Sequence, residues 1–243
     1  SRRLVDEEES RKLLVDELQH RLKNKIATVH AVLHQVLADQ PNAHCVRLCA
    51  DGETALVAAL GADELRTFRF DAARGLLAAG EPLPLPAGTG PRHIELHPTR
   101  PVAYLLDELH GQVRTFHLAG GMPRQRQCLE SVPAGTASPI WAADLRATAD
   151  GRWLYATERT GSTVTAFGID GDSGLLKTLG HWPTQLQPRA IALDPSGRFL
   201  LAAGQRSHRV GVHAIGLDGR LTALGECDVG AQPSWVEVIA LTG

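Results

Sequence analysis

A sequence repeat spans most of this 243-residue chain and limits how it can fold. Four segments of 27 residues align without gaps, at 43–69, 91–117, 142–168 and 188–214. Each segment holds an alternating run, a tight turn, a second apolar run, a polar turn and a third strand-like run. The tight turns lie 48, 51 and 46 residues apart, at Gly52, Arg100, Gly151 and Gly197. This period indicates one supersecondary unit repeated along the chain.

The length of the repeat points to an all-β architecture. Sixteen residues after each turn, in the third strand, the sequence places Phe68, Phe116, Phe167 or His213. A fourth strand, such as 75–83, fills the gap between copies, and four strands in about 40–50 residues are typical of a β-propeller blade. The segment QPSWVEV at 232–238 matches QPRAIAL at 187–193 and predicts the first strand of a fifth blade. We therefore predict a partial β-propeller of about four four-stranded blades plus one strand.

The first forty residues differ from the rest in composition. They contain 14 charged residues and neither glycine nor proline, whereas all 24 Gly and all 14 Pro lie further on. Apolar residues recur every three or four positions, which predicts one long amphipathic α-helix that Pro41 ends. This stripe consists of Leu14, Leu18, Leu22, Ile26, Val29, Leu33 and Val36. The boundary divides the chain into a helix at 1–40 and a propeller segment at 41–243.

Alignment of the repeats identifies polar residues at positions where a strand core would favour valine or isoleucine. In a propeller, the first strand of each blade lines the central channel. Eight residues before each turn, that strand carries His44, Arg92, Ala143 or Arg189. Three of these four side chains can be cationic, so together they would attract a carboxylate or phosphate group.

A second column of residues follows each turn by eight positions and contains Leu60, Glu108, Arg159 and Gln205. Glu108 lies one turn away from Arg92 in the same blade. An arginine beside a carboxylate keeps it ionised and oriented, as a general base acting on water requires. The alternative interpretation is that arginine and glutamate at strand ends form solvated ion pairs, which contribute little to stability.

Histidine and cysteine spacings do not predict a metal site. His93 and His97 lie on one strand, where the alternation of side chains disfavours a metal pair. His30 and His34 can share a face of the N-terminal helix, but neither an acid nor a third ligand lies nearby. The four cysteines do not form a disulfide framework in a chain of this length. We predict no metal.

Charge and hydropathy restrict the classes of partner. The net charge is −2 and the pI about 6.6, which argue against nucleic acid or an anionic membrane as the main partner. No apolar run approaches the roughly 20 residues of a membrane helix. The charged N-terminal residues do not resemble a signal sequence. We expect a cytoplasmic protein.

Residues 41–243 resemble a known enzyme family. The segments GTGPRHIELHP (88–98), LLDELHGQV (105–113) and DGRWLYATERTGSTVTAF (150–167) are similar to the lactonase-type seven-bladed propellers. That family includes propeller-type 6-phosphogluconolactonases and carboxy-muconate cyclases. The resemblance implies that the channel binds a small anionic sugar-acid lactone and that no redox cofactor is obligatory. It also implies the functional residues, which are His44, Arg92, Arg189 and Glu108.

The chain departs from this family in sequence and in length. Asn42 replaces the first histidine of the family's His-x-His, and the family's Asp-Leu-Gly reads Ala-Leu-Gly at 59–61. Each of seven blades subtends about 51° of a ring, so four blades give an open arc with exposed edge strands.

We add His93 and Gln205 as candidate substrate-binding residues.

Residues 5–38 resemble a different protein class. The segment LLVDELQHRLKNKIATVHAVLHQVL (13–37) is similar to the phosphoacceptor helix of HWE-type sensor histidine kinases. There the histidine of an H-R-x-K-N motif accepts phosphate, and this role falls on His20. The second helix and the ATP-binding domain of such kinases are absent from the sequence. The resemblance therefore implies phosphate transfer to His20 only from a separate kinase.

These observations lead to one main hypothesis of function and two alternatives. The main hypothesis is hydrolysis of a phosphorylated sugar-acid lactone, with Arg92, Arg189 and His44 holding the substrate and its oxyanion and Glu108 activating water. The first alternative is a non-catalytic binding module that forms a homodimer through the N-terminal helix or the open blade edges. The second is a signalling fragment that accepts phosphate on His20.

Overall fold

The computed structural model describes residues 42–71, 74, 76–118 and 122–240. The predicted N-terminal helix, and with it His20, lies outside these residues. The described part is all-β, with seventeen strands and one short 3₁₀ turn at Leu60–Ala62. Within it, no helix is long and apolar enough to cross a membrane.

The strands form four antiparallel sheets that follow one another along the chain. The first sheet contains β1 (Ala43–Leu48), β2 (Thr54–Ala59), β3 (Glu64–Asp71), β4 (Leu76–Ala79) and β5 (Leu83–Pro84), which pairs with β3. The second contains β6 (Pro91–Leu96), β7 (Val102–Asp107), β8 (Gln112–His117) and β9 (Arg124–Glu130). The third contains β10 (Ala142–Ala147), β11 (Trp153–Glu158), β12 (Thr163–Ile169) and β13 (Leu176–Pro183). The fourth contains β14 (Pro188–Leu193), β15 (Phe199–Gly204), β16 (Arg209–Ile215) and β17 (Leu221–Asp228).

The pairing register reproduces the sequence repeat and confirms the four predicted blades. In every blade, one residue of the third strand lies sixteen positions after the tight turn. It pairs with the second-strand residue that lies three positions after the same turn. These pairs are Ala55–Phe68, Ala103–Phe116, Leu154–Phe167 and Leu200–His213. The third-strand member of every pair is buried. The fold is therefore a partial β-propeller, as the repeat predicts.

The core lies between neighbouring sheets. The cluster between the first and second sheets includes Leu56, Leu65, Ile94, Leu105 and Phe116. Similar clusters join the second sheet to the third and the third to the fourth. Burying a side chain of this size contributes about 1.5–3 kcal/mol, so packing between blades stabilises the arc. As a result, the inner strands β1, β6, β10 and β14 lie side by side.

The predicted first strand of a fifth blade is not formed. Residues 229–240 contain no strand. Gln232 nevertheless has a positive φ of 54°, like Gln187 (53°) before β14 and Asn42 (70°) before β1. The segment thus begins like an inner strand. Among the described residues no second strand lies beside it, and a strand needs such a partner for its backbone hydrogen bonds.

Candidate functional site

A β-bulge near the start of each inner strand defines the site. The pairing register shifts between Ala43 and Cys45, Pro91 and His93, Ala142 and Leu145, and Pro188 and Ala190. The residues left out of the regular register are His44, Arg92, Ala143, Asp144 and Arg189. A bulge bends the strand and re-aims its side chains. The cationic column found in the repeat is therefore a column of bulge residues at one end of the inner strands.

Glu108, which follows β7, is the centre of a buried ion network. Its Oε2 lies 2.5 Å from Arg92 Nε, and its Oε1 lies 3.2 Å from Arg159 Nη2. The contact with Arg92 is ionic, because Nε has no partner in hydrogen-bond geometry. The indole N–H of Trp141 donates to Oε1 at 2.7 Å. Both oxygens of this carboxylate are thus occupied, and they join the second sheet to the third.

The two arginines of this network are almost inaccessible to solvent. Arg92 is 3% exposed and Arg159 is 2% exposed. The Arg159 guanidinium lies 3.7 Å from the centroid of the Trp141 ring, and its Nε donates to the Trp141 carbonyl at 3.0 Å. Burial, and next the charge of Arg92, lower the pKa of Arg159 to about 10, although Glu108 opposes this effect. Glu108 therefore offsets the charge of two buried cations, whose desolvation is costly.

A second carboxylate holds a histidine. His93 Nδ1 lies 2.6 Å from Asp144 Oδ1, a short contact that is not aligned as a hydrogen bond. The backbone N–H groups of Leu145 and Ile191 donate to Asp144 at 2.8 and 2.9 Å. Burial lowers the pKa of His93, with Asp144 opposing it. Burial raises the pKa of Asp144, but the contact with His93, the charge of Arg146 and the Ile191 N–H together hold that pKa below its usual value. At neutral pH, a neutral imidazole therefore faces a carboxylate.

A cavity of about 210 Å³ opens between these groups. It is lined by His44, Arg92, His93, Asp144, Arg189, Ala190, Ser234 and Trp235. Arg189 is half-buried and has no hydrogen-bond or carboxylate partner among the described residues. The His44 ring lies 5.4 Å from that of His93, and the residue is exposed at the mouth of the cavity. Burial by surrounding atoms, and then Arg92 and His93, lower the pKa of His44 to about 4. His44 is therefore neutral, and Arg189 supplies a positive charge that no described residue compensates.

A larger cavity, of about 780 Å³, lies at the opposite end of β1 and β6. Its charged groups already have partners. Arg69 forms an ion pair with Glu53 at 2.9 Å, and Arg100 lies 4.0 Å from Asp172. An anionic ligand needs an uncompensated cation, so the cavity of about 210 Å³ is the candidate functional site.

The structure brings together most of the residues predicted from the sequence. His44, Arg92, His93 and Arg189 line the cavity. Glu108 is not among the lining residues, but it forms an ion pair with Arg92. Gln205 lies apart: its backbone N–H donates to the Gln187 carbonyl at 3.0 Å, and it is not among the lining residues. Glu108 and Arg159, which occupy the same column in the second and third sheets, contact each other across the gap between those sheets. Gln205 follows β15 of the fourth sheet, and the described residues form no further sheet that it could contact.

The repeat pattern does not mark Trp141, Asp144 or Trp235 as site residues, and it assigns no role to Arg159. Asp144 follows the column residue Ala143, but strand alternation predicts opposite faces for such neighbours. Only the bulge turns Asp144 toward His93. Among the described residues, no group of three or more His, Cys, Asp or Glu side chains is placed to hold a metal. The absence of metals and cofactors stays a prediction.

The fold is a partial β-propeller with a cavity beside the bulges of its inner strands, which is where proteins of this architecture can hold a ligand. The chain belongs to the lactonase seven-bladed β-propeller family, whose model matches residues 12–238. The match begins within the first forty residues and so covers much of the predicted N-terminal helix. The resemblance of that segment to histidine kinases stays a prediction.

Relatives and solved structures agree with this family. The chain is 39% identical over 210 residues to a 6-phosphogluconolactonase of Sodalis glossinidius, which covers 85% of this chain and 63% of the relative. It is 35% identical to a 6-phosphogluconolactonase of Erwinia tasmaniensis, covering 84% of this chain and 62% of the relative. The periplasmic gluconolactonase of Pseudomonas aeruginosa aligns with a TM-score of 0.74 and 32% identity, covering 78% of this chain and 55% of that structure. The chain thus spans less than two thirds of the length of these proteins.

Proposed function

We propose that this chain hydrolyses the lactone of a sugar acid and binds an anionic group of the substrate through Arg189. The observation that carries this proposal is the half-buried Arg189 in the cavity beside Arg92 and His93, which has no hydrogen-bond or carboxylate partner in the part of the chain that the structure describes. Taking an arginine partly out of water without a counter-charge costs free energy, which a bound anion offsets. The guanidinium fork also matches the oxygens of a carboxylate or phosphate.

The other lining residues suit ester chemistry. Hydrolysis of a lactone places a negative charge on the carbonyl oxygen in the transition state, and preorganised donors stabilise that charge. Arg92 is held in place by Glu108 and by the Ala143 carbonyl, so it presents a fixed guanidinium to the cavity. His44, being neutral, is suited to hydrogen-bond a sugar hydroxyl rather than to bind an anion.

The substrate class follows from the relatives and from the charge of the cavity. The names of the relatives, 6-phosphogluconolactonase and gluconolactonase, support a lactone of gluconate with or without a phosphate group. The positive charge of Arg189 in the cavity favours the phosphorylated form. Cytoplasmic location and homodimer formation stay predictions; the free cysteines favour a reducing compartment, whereas the Pseudomonas relative is periplasmic.

The test is hydrolysis of freshly prepared 6-phosphogluconolactone and gluconolactone, measured as acid release above the spontaneous rate. In Arg189→Ala, kcat/KM for the phosphorylated lactone should fall about 10- to 100-fold, because a hydrogen bond to a charged group is lost. The unphosphorylated lactone should lose less. Arg206→Ala is the matched control, since Arg206 is an exposed arginine near the end of β15. A wild-type rate equal to the spontaneous rate would exclude the lactonase function.

A further inference from the structure

We propose that His93 activates the water molecule that attacks the lactone carbonyl, and that Asp144 is the positioning residue that orients it. This inference rests on the proposed lactone hydrolysis and names its base. It moves the water-activating role from Glu108, where sequence analysis placed it, to a histidine–aspartate pair in the same cavity.

The contacts of Glu108 make it a poor base. Its two oxygens contact Arg92, Arg159 and the indole N–H of Trp141, and its side chain is only 13% exposed. Because these contacts occupy both oxygens, neither is left to accept a hydrogen bond from an attacking water molecule. Glu108 is also not among the residues that line the cavity. Its contacts suit it to holding the arginines in place.

His93 has the opposite arrangement. It lines the cavity, and its Nδ1 is turned toward Asp144 at 2.6 Å. Although the contact is not aligned as a hydrogen bond, the negative charge so close to Nδ1 favours the proton on that nitrogen and leaves the lone pair of Nε2 free to accept one. Asp144 is 1% exposed and is fixed by the backbone N–H groups of Leu145 and Ile191. The pair thus repeats the relation in which a buried aspartate orients a catalytic histidine.

The proposed step balances as follows. The water oxygen forms a bond to the lactone carbonyl carbon while His93 Nε2 takes one proton from that water. The carbonyl oxygen becomes an oxyanion, which Arg92 is placed to stabilise. The bond between that carbon and the ring oxygen then breaks, and the ring oxygen takes the proton from His93. The product is the open-chain hydroxy acid, and the imidazole returns to its neutral form.

The charges around His93 are consistent with this cycle. Burial lowers the pKa of the imidazole, so it is neutral and able to accept a proton at pH 7. The charged or titratable groups that face it come from all four inner strands. They are His44 from β1, Arg92 from β6, Asp144 and Arg146 from β10, and Arg189 from β14.

The first experiment compares His93→Gln with the wild type in hydrolysis of 6-phosphogluconolactone between pH 5 and 7. Loss of a general base should lower kcat about 10²- to 10⁴-fold and remove the acidic limb of its pH profile. Asp144→Asn should lower kcat less and leave KM nearly unchanged. His97→Gln is the matched control, because His97 is a buried histidine at the other end of the same strand. Retention of kcat within threefold in folded His93→Gln would overturn the proposal while leaving the lactonase function intact.

A second measurement does not depend on activity. The ¹⁵N chemical shifts of His93 report which ring nitrogen carries the proton, and we expect Nδ1–H in the wild type. In Asp144→Asn the preference for this tautomer should be lost. A wild-type His93 protonated on Nε2 would overturn the base assignment even if the enzyme is active. A wild type that does not hydrolyse the lactone would exclude the proposed function, and the role of His93 with it.

Discussion

Glu108→Gln tests the idea that this carboxylate stabilises two buried arginines. The substitution keeps the shape of the side chain and removes its charge. Arg92 and Arg159, which are 3% and 2% exposed, then remain buried without a counter-ion. At about 4 Å between charge centres and an effective dielectric constant of about 20, each pair contributes about 4 kcal/mol of Coulomb energy. Part of this loss is relieved by water entry, so we expect the free energy of unfolding to fall by about 3–5 kcal/mol.

The assay is urea and thermal unfolding followed by circular dichroism. For a chain of this size the expected loss corresponds to a decrease in Tm of about 6–20 °C. Glu53→Gln is the control, because Glu53 and Arg69 form an ion pair whose side chains are 60% and 69% exposed. That pair is expected to contribute no more than about 1 kcal/mol. Equal effects of the two substitutions would refute the reasoning.

The activity of Glu108→Gln separates two roles. Activity should fall, because Arg92 loses the contact that holds it toward the cavity. The acidic limb of the kcat profile should remain, since the base we propose is still present. If the limb disappears instead, Glu108 is the base.

Two smaller predictions follow from single residues. The pKa of the His44 imidazole should be about 4 in an NMR titration of the folded protein and near its ordinary value of 6.5 in urea. Burial and the charge of Arg92 both disfavour the cationic form in the folded state. A folded-state pKa above 6 would contradict the described cavity. Gly219→Ala should destabilise the protein more than Gly52→Ala in thermal unfolding, although both glycines have positive φ near 70–80°. A Cβ at Gly219 would lie 2.6 Å from the Trp153 ring, whereas a Cβ at Gly52 would have no neighbour within 4 Å. Equal decreases in Tm would mean that backbone strain alone determines the loss of stability.

The repeat predicts the blades because both depend on the same local rules. Alternation of apolar residues sets which side chains pack between sheets, and turn residues set where strands reverse. The four blades and the buried positions Phe68, Phe116, Phe167 and His213 follow directly. The predicted strand at 232–238 is absent because a strand depends on a neighbour as well as on its own pattern.

The site is predicted only where the repeat marks it. Arg92 and Glu108 stand in comparable columns of aligned segments, and their ion pair is present. Asp144 and Trp141 could not be assigned, because their partners lie in another blade, 51 and 33 residues away in sequence. Contacts between blades are not encoded in the local pattern of either blade.

By itself, the sequence determined the number of described blades, their strand order and the column of cationic residues near the channel, because these depend on spacing along the chain. Only the tertiary structure decided what that column does. The bulges turn Arg92 and Asp144 out of the strand alternation, and packing between sheets brings His93 against Asp144 and encloses Glu108 between two arginines. Whether a carboxylate acts as a base or as a counter-ion depends on these partners and on its burial, and both are properties of the folded chain.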